Sequence, residues 1–191
     1  MEKELKLNED IRKINLKAEA CDVVVSPGDI KRPIIKCPNG FSLKENDFEV
    51  ALMEENLKSE IVLDENGKLI TANIVHILIP KNQDLSFYFN IRLGNISMDN
   101  LMINRLKIML SEGNIDLNDI DLLYGNLVNH NGDMDIKLLE SLINYETFLK
   151  AKTIKNQDNE IKRPNVLLKR HYLKCNAENG KINLLFKGKT N

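Results

Sequence analysis

The side chains able to do chemistry are few and scattered. His171 and Cys175 stand four positions apart, a spacing that puts both on one face of a strand, as two zinc ligands would be. A zinc site needs a third and a fourth ligand, and no other Cys or His stands near them in the sequence. Cys175 also falls at an offset held by Phe89, Ile108 and Leu127 in related segments, so it reads as a buried core thiol. His130 sits beside a Gly-Asp turn, with Asp116, Asp133 and Asp135 as candidate partners for a divalent cation. The nine-residue Gly-Gly-x-Gly-x-Asp repeat of calcium-binding chains is missing, so these carboxylates are expected to be solvated. His76 lies in an otherwise apolar strand and is expected to face solvent or a hydrogen-bond partner. No Walker A, G-x-G-x-x-G, G-x-S-x-G or H-E-x-x-H pattern occurs. The sequence therefore predicts a chain without enzymatic activity, with no catalytic residue, no cofactor and no metal ligand.

Charge offers one further candidate. The formal net charge of −1 hides an uneven distribution. Residues 1–148 hold 16 Lys/Arg and 25 Asp/Glu, whereas residues 149–191 hold 11 and 3. The basic residues are spread out, which favours neutralisation by the acidic body, within one molecule or between copies. The alternative is a surface for an anionic partner, made by Lys150, Lys152, Lys155, Arg163 and Arg170. Aromatic content of 5% with no Trp counts against a stacking platform for single-stranded nucleic acid.

Three cysteines, Cys21, Cys37 and Cys175, form no C-x-x-C pair and read as free thiols of a reducing compartment. The N-terminus lacks an apolar signal region, and no apolar run is long enough for a membrane helix. The expected location is the cytoplasm.

What must position these residues is a repeat. Gly94, Gly113 and Gly132 follow one another at intervals of 19 residues. Each opens a segment that reads Gly, polar, apolar, polar, apolar, two residues, apolar: Gly94-Asn95-Ile96-Ser97-Met98, Gly113-Asn114-Ile115-Asp116-Leu117, Gly132-Asp133-Met134-Asp135-Ile136. Apolar residues also alternate before each Gly, as in Phe87, Phe89, Ile91 and in Leu106, Ile108, Leu110. Alternation is the period of a strand with one face buried. Each unit therefore predicts two short strands meeting at a Gly corner, where a positive φ is available without a Cβ clash. Gly180 opens a later copy, 48 residues after Gly132. A degenerate unit with its corner near Ala151 is expected between them, with an exposed loop around 156–165. Stacking would align Asn95, Asn114 and Asp133 in one corner column and Ser97, Asp116 and Asp135 in an outward one.

Before residue 80 the spacing differs, but strands persist around Ile14–Ala18, Asp22–Val25, Ile34–Cys37, Ile61–Leu63 and Ile74–Ile79. These read as antiparallel or mixed strands capping the first unit. The order of segments resembles the bacterial putative-adhesin family, a domain of unknown function. Val75-His76-Ile77-Leu78-Ile79-Pro80 matches its strand before the repeats. Leu106-Lys107-Ile108-Met109-Leu110-Ser111-Glu112-Gly113-Asn114-Ile115-Asp116-Leu117 matches a full repeat. The resemblance spans roughly residues 11–187 and implies surface or cell-envelope association.

The fold expected is all-β: a right-handed parallel β-solenoid of 19-residue coils over 81–191, with an N-terminal strand or cap region over 1–80, in one continuous domain. The function expected is a non-enzymatic, adhesin-like interaction or scaffold module, binding a protein partner or itself through a sheet face or an exposed edge. The alternatives are a carbohydrate- or envelope-processing protein, and binding of an anionic partner by the basic C-terminal segment.

Overall fold

A computed structural model describes residues 2–55, 62–63, 69–70, 73–140, 144–158 and 171–188. The fold is all-β. In chain order the strands are β1 (Glu2–Lys6), β2 (Lys13–Ala20), β3 (Asp22–Gly28), β4 (Ile34–Pro38), β5 (Phe41–Glu45), β6 (Glu49–Glu54), β7 (Val62–Leu63), β8 (Leu69–Ile70), β9 (Ile74–Pro80), β10 (Leu85–Leu93), β11 (Ile96–Glu112), β12 (Ile115–Asn131), β13 (Met134–Leu138), β14 (Tyr145–Asp158) and β15 (His171–Phe186). All but the small β7–β8 pair join one 13-stranded sheet.

The parallel pairs carry the 19-residue period directly. Ile96 pairs with Ile115, Met98 with Leu117 and Ile108 with Leu127 along β11 and β12. Met134 and Ile136 of β13 continue the first two columns, and Ile182 and Leu184 of β15 extend them again. These side chains are buried in the core, as the alternation requires.

The glycine corners divide the array into two wings. One runs β5, β6, β2, β10, the later parts of β11 and β12, then the early parts of β15 and β14. The other runs β1, β4, β9, β3, the early parts of β11 and β12, β13, then the later parts of β15 and β14. Among the described residues of this sheet only β1–β4, β4–β9 and β5–β6 are antiparallel, and they lie at one end. Strands β2 and β3 pair in parallel with β10 and β11, so the parallel stack extends to residues before 80.

Close approach explains the glycine column better than φ alone. Gly94, Gly113 and Gly132 have φ of 140°, 134° and 138°. A Cβ on Gly113 would also overlap the carbonyl oxygen of Gly94, and a Cβ on Gly180 that of Gly132. Gly180 has no such positive φ, so space alone requires glycine there.

The corner column of Asn95, Asn114 and Asp133 beside it is present, and its side-chain oxygens accept from backbone N–H groups of the next level. The Asn114 backbone N–H donates to Asn95 Oδ1 at 3.1 Å, Asp133 N–H to Asn114 Oδ1 at 3.0 Å, and Lys181 N–H to Asp133 Oδ1 at 2.8 Å. Asn95 N–H donates to Asp22 Oδ1 at 2.7 Å, one level earlier. Each step uses one side-chain oxygen as acceptor, so Asn and Asp serve equally.

Three expectations need correction. The two strands that meet at each Gly corner are separate, but the strand after one corner runs on into the strand before the next, which makes β11 and β12 continuous strands of 17 residues. Each bends where Asn100 and Asp119 take φ of 52° and 56°, a region that Asn and Asp tolerate better than other side chains. Each bends again where consecutive residues, Asn104–Arg105 and Leu123–Tyr124, are exposed and shift the inward phase. Second, the degenerate unit has its corner at Lys152, where the register shifts between Ala151 and Thr153, but it does not lie between its sequence neighbours. Strand β15 sits between β12–β13 and β14, so the chain places β14 one level out and later fills the gap. Spacing along a chain orders segments in sequence, not in space. Third, Asn156–Asp158 belong to β14 and not to a loop, because they pair with Leu184–Phe186. The remainder of the expected loop, 159–165, lies outside the described residues.

Candidate functional site

The candidate catalytic and metal residues are not brought together. Cys175 is buried in the column of Ile108 and Leu127, and burial pushes its thiol pKa up. His171 enters the same side of the strand, where its ring packs on Tyr145 with centroids 4.9 Å apart. Cys21 and Cys37 are also free and buried. His76 is half-buried in β9, level with Val24 and Lys36 on the strands either side. His130 Nδ1 lies 2.8 Å from Glu178 Oε2, and that contact holds the Glu178 carboxyl below its usual range. Asp116 and Asp135 are on the other wing, in the outward column Ser97, Asp116, Asp135, Asn183, Lys155. Lys155 thus ends the acidic column, and with Asp135, Lys137 and Asn183 it lines a shallow depression. Among the described residues no group of three or more His, Cys, Asp or Glu could hold a metal ion.

The basic candidates fall at one end of the stack. Lys150, Lys152 and Lys155 are exposed on β14, which pairs with β15 and with no other strand among the described residues. Lys150 stands in the outward column of one wing, level with Asn176. Lys152 is at the corner, and Lys155 is in the outward column of the other wing. Arg163 and Arg170 lie outside the described residues.

Strand β14 is held to the body by Tyr145. Its side chain is 1% exposed and packs against His171 and Phe186. Its hydroxyl donates to the Leu122 carbonyl at 2.6 Å, reaching past β15. Further along β14 the inward positions open. Leu149 and Ala151 are half-buried, and Ile154 is 42% exposed although its column mates Ile115, Met134 and Ile182 are at most 1% exposed.

A second feature was missed in the sequence. Arg105, Tyr124 and Tyr172 stand in one outward column of the first wing. The Arg105 guanidinium lies 5.5 Å from the Tyr124 ring centroid, a cation–π contact. Tyr124 and Tyr172 stack at 4.9 Å and 11°, and Phe148 of β14 meets Tyr172 at 5.7 Å. Tyr124 and Phe148 are exposed, as are Leu123, next to Tyr124 in the chain, and Met109, four positions along β11 from Arg105. The signal was available: Arg105, Tyr124 and Tyr172 each stand eight residues before a corner glycine. The ladder runs from β11 to the β14 edge, so the exposed apolar face and the lysine-bearing edge are continuous at Phe148.

Together these features define an all-β protein of stacked parallel strands with an exposed aromatic ladder and a lysine-bearing edge strand. The chain belongs to the Toastrack DUF4097 family, whose model matches residues 11–191. No curated protein sequence matches it. Among solved structures it is similar to a putative cell adhesion protein from Clostridium sporogenes ATCC 15579. That pair is 14% identical with a TM-score of 0.61, over 98% of this chain and 99% of the other. It is also similar to a putative adhesin from Bacteroides fragilis NCTC 9343, at 12% identity and a TM-score of 0.40, over 96% of each chain. At 14% identity the first likeness shows the fold alone. Among the described residues no helix is long and apolar enough to cross a membrane.

Proposed function

We propose that the chain is a non-enzymatic interaction module, and that its binding surface is the ladder Arg105–Tyr124–Tyr172–Phe148 with the adjoining β14 edge. The observation that carries this reading is the run of aromatic contacts from Tyr124 through Tyr172 to Phe148 on one outward face, with Tyr124 and Phe148 exposed. Aromatic, Met and Arg side chains are the ones enriched at protein interfaces. On this reading the array is a right-handed parallel β-solenoid, since parallel crossovers are right-handed in nearly all folds. The antiparallel pairs of β1, β4 and β5 close one end of a parallel stack that already includes β2, β3, β6 and β9. The adhesin-like neighbours support a cell-envelope setting and a protein partner.

The test is affinity capture from the native cell with the wild-type chain and with a Tyr124→Ser/Phe148→Ser variant that melts at the same temperature. A partner retained by the first and lost with the second is expected. Equal retention by both would remove the ladder as the binding surface. Turnover of an envelope polysaccharide by the purified chain would replace the reading with an enzymatic one.

A further inference from the structure

We infer that β14 is a strand acceptor, and that its occupant is an extended partner segment alternating apolar and acidic residues. The inference rests on the interaction reading above and specifies the partner's chemistry at the same surface. Three independent features of the edge agree.

The first is the backbone. In a parallel ladder every other N–H and C=O of an edge strand points away from its partner. Strand β14 spans 14 residues and is paired on one side among the described residues. The opposite end of the stack differs, being finished by antiparallel β1 and β5.

The second is the unfinished core. Leu149, Ala151 and Ile154 occupy positions whose equivalents Cys175, Ala177 and Ile182 are buried one level below. Added apolar side chains at the same register would continue those columns and take Leu149 and Ile154 out of water. A segment that supplies them must be apolar at alternate positions, because a strand presents one face every second residue.

The third is charge. The outward positions between those columns carry Lys150 and Lys155, with Lys152 at the corner. Neighbouring β15 adds exposed Lys174 and Lys181. The acidic residues at this edge among the described ones are Glu146 at the start of β14, Asp158 at its end, and Glu178 on β15, which is engaged by His130 and also feels Lys150. Opposite charges directly across a strand pair are favourable and like charges are not. The intervening residues of the occupant must therefore be acidic. Edge lysines also discourage pairing with chains that lack such charges, which makes the edge selective.

The experiment uses the full chain and a nine-residue peptide alternating valine and glutamate. Controls are the same peptide with lysine for glutamate, a scrambled peptide of identical composition, and heparin. Binding is read by fluorescence anisotropy, and the site by amide hydrogen exchange. The Val/Glu peptide should bind at least tenfold more tightly than either control peptide and slow exchange of β14 amides at least tenfold. Lys150→Glu/Lys152→Glu/Lys155→Glu should reverse the preference between glutamate and lysine peptides, with an unchanged melting temperature. Equal binding of the scrambled peptide, or protection elsewhere, would overturn the proposal. So would heparin giving the same competition and the same exchange pattern, which would mark a general polyanion surface. Concentration-dependent self-association that protects β14 without peptide would assign the edge to a second copy and overturn it as well. If the peptide fails while the cellular partner is still held through Tyr124 and Phe148, strand acceptance falls and the interaction reading stands.

Discussion

Replacing Gly113 by Ala tests the stacking directly. Gly113 has a φ of 134°, and a Cβ there would meet the Gly94 carbonyl, which belongs to the backbone and cannot rotate aside. Holding a side chain in a region nearly restricted to glycine costs about 1–3 kcal/mol. Relief requires the two levels to part, which loosens the bonds from Gly94 N–H to the Glu112 carbonyl at 3.0 Å and from Ile96 N–H to the Asn114 carbonyl at 2.9 Å. At roughly 1 kcal/mol each, these bring the total to about 3–5 kcal/mol. A domain has about 5–15 kcal/mol in all. With a urea slope of about 2 kcal/mol per molar, the midpoint should fall by roughly 2 M. Gly180→Ala separates the two causes, because it meets the Gly132 carbonyl without the positive φ and should cost about 1–3 kcal/mol less. Gly40→Ala is the control: a Cβ there meets nothing within 4 Å, and the change should be within about 1 kcal/mol. The assay is urea unfolding followed by circular dichroism. A Gly113→Ala midpoint equal to that of Gly40→Ala would refute the argument from close approach.

Three further outcomes follow from the same geometry. Tyr145→Phe keeps the ring packing and removes the hydroxyl that binds the Leu122 carbonyl, so unfolding free energy should fall by roughly 1–3 kcal/mol, measured by denaturant titration. Cys175 and Cys21 are buried with raised thiol pKa values, so a thiol reagent at pH 8 should modify them at the rate of unfolding and not at the rate of a free thiol. The Glu178 carboxyl is held low by His130, so the stability it contributes is present above its unfolded pKa and is lost as pH falls through its lowered folded one. His130→Ala should return that carboxyl to the ordinary range in an NMR titration, and an unmoved titration would show that the contact is absent in solution.

The repeat was legible in the sequence because two signals coincide on the same residues. A corner glycine recurs at a fixed interval, and the inward positions Ile96, Ile115 and Met134 are apolar in phase with it. The lower levels hid because their corner is Cys21. It takes no positive φ, and its carbonyl lies where a Gly94 Cβ would fall. Strands β2 and β3 could be read as strands from their alternation, but nothing local says that Val23 aligns with Ile96 across the chain. The bends at Asn100 and Asp119 left a trace as a matched Asn/Asp pair at one repeat offset. The placement of β15 left only its corner glycine, Gly180, where β14 has Lys152. The alternation of β15 suits any level of the stack, and what selects the level next to β13 is the fit of Gly180 against the Gly132 carbonyl, together with the packing of Tyr145 on His171 and Phe186. The same holds for the candidate site. Lys150, Lys152 and Lys155 were found by charge, yet their meaning depends on β14 being an edge.

That ordering bears on how the protein is made. A ribosome delivers β13 and then β14 before any of β15 exists. At that moment β14 cannot take the level next to β13 itself, because its corner residue is Lys152 and no Cβ fits beside the Gly132 carbonyl. That level stays open until Gly180 is made, and β14 joins the stack only through β15. Nascent chains stalled between residues 158 and 171 should therefore leave β14 unpaired, with fast amide exchange over Tyr145–Asp158.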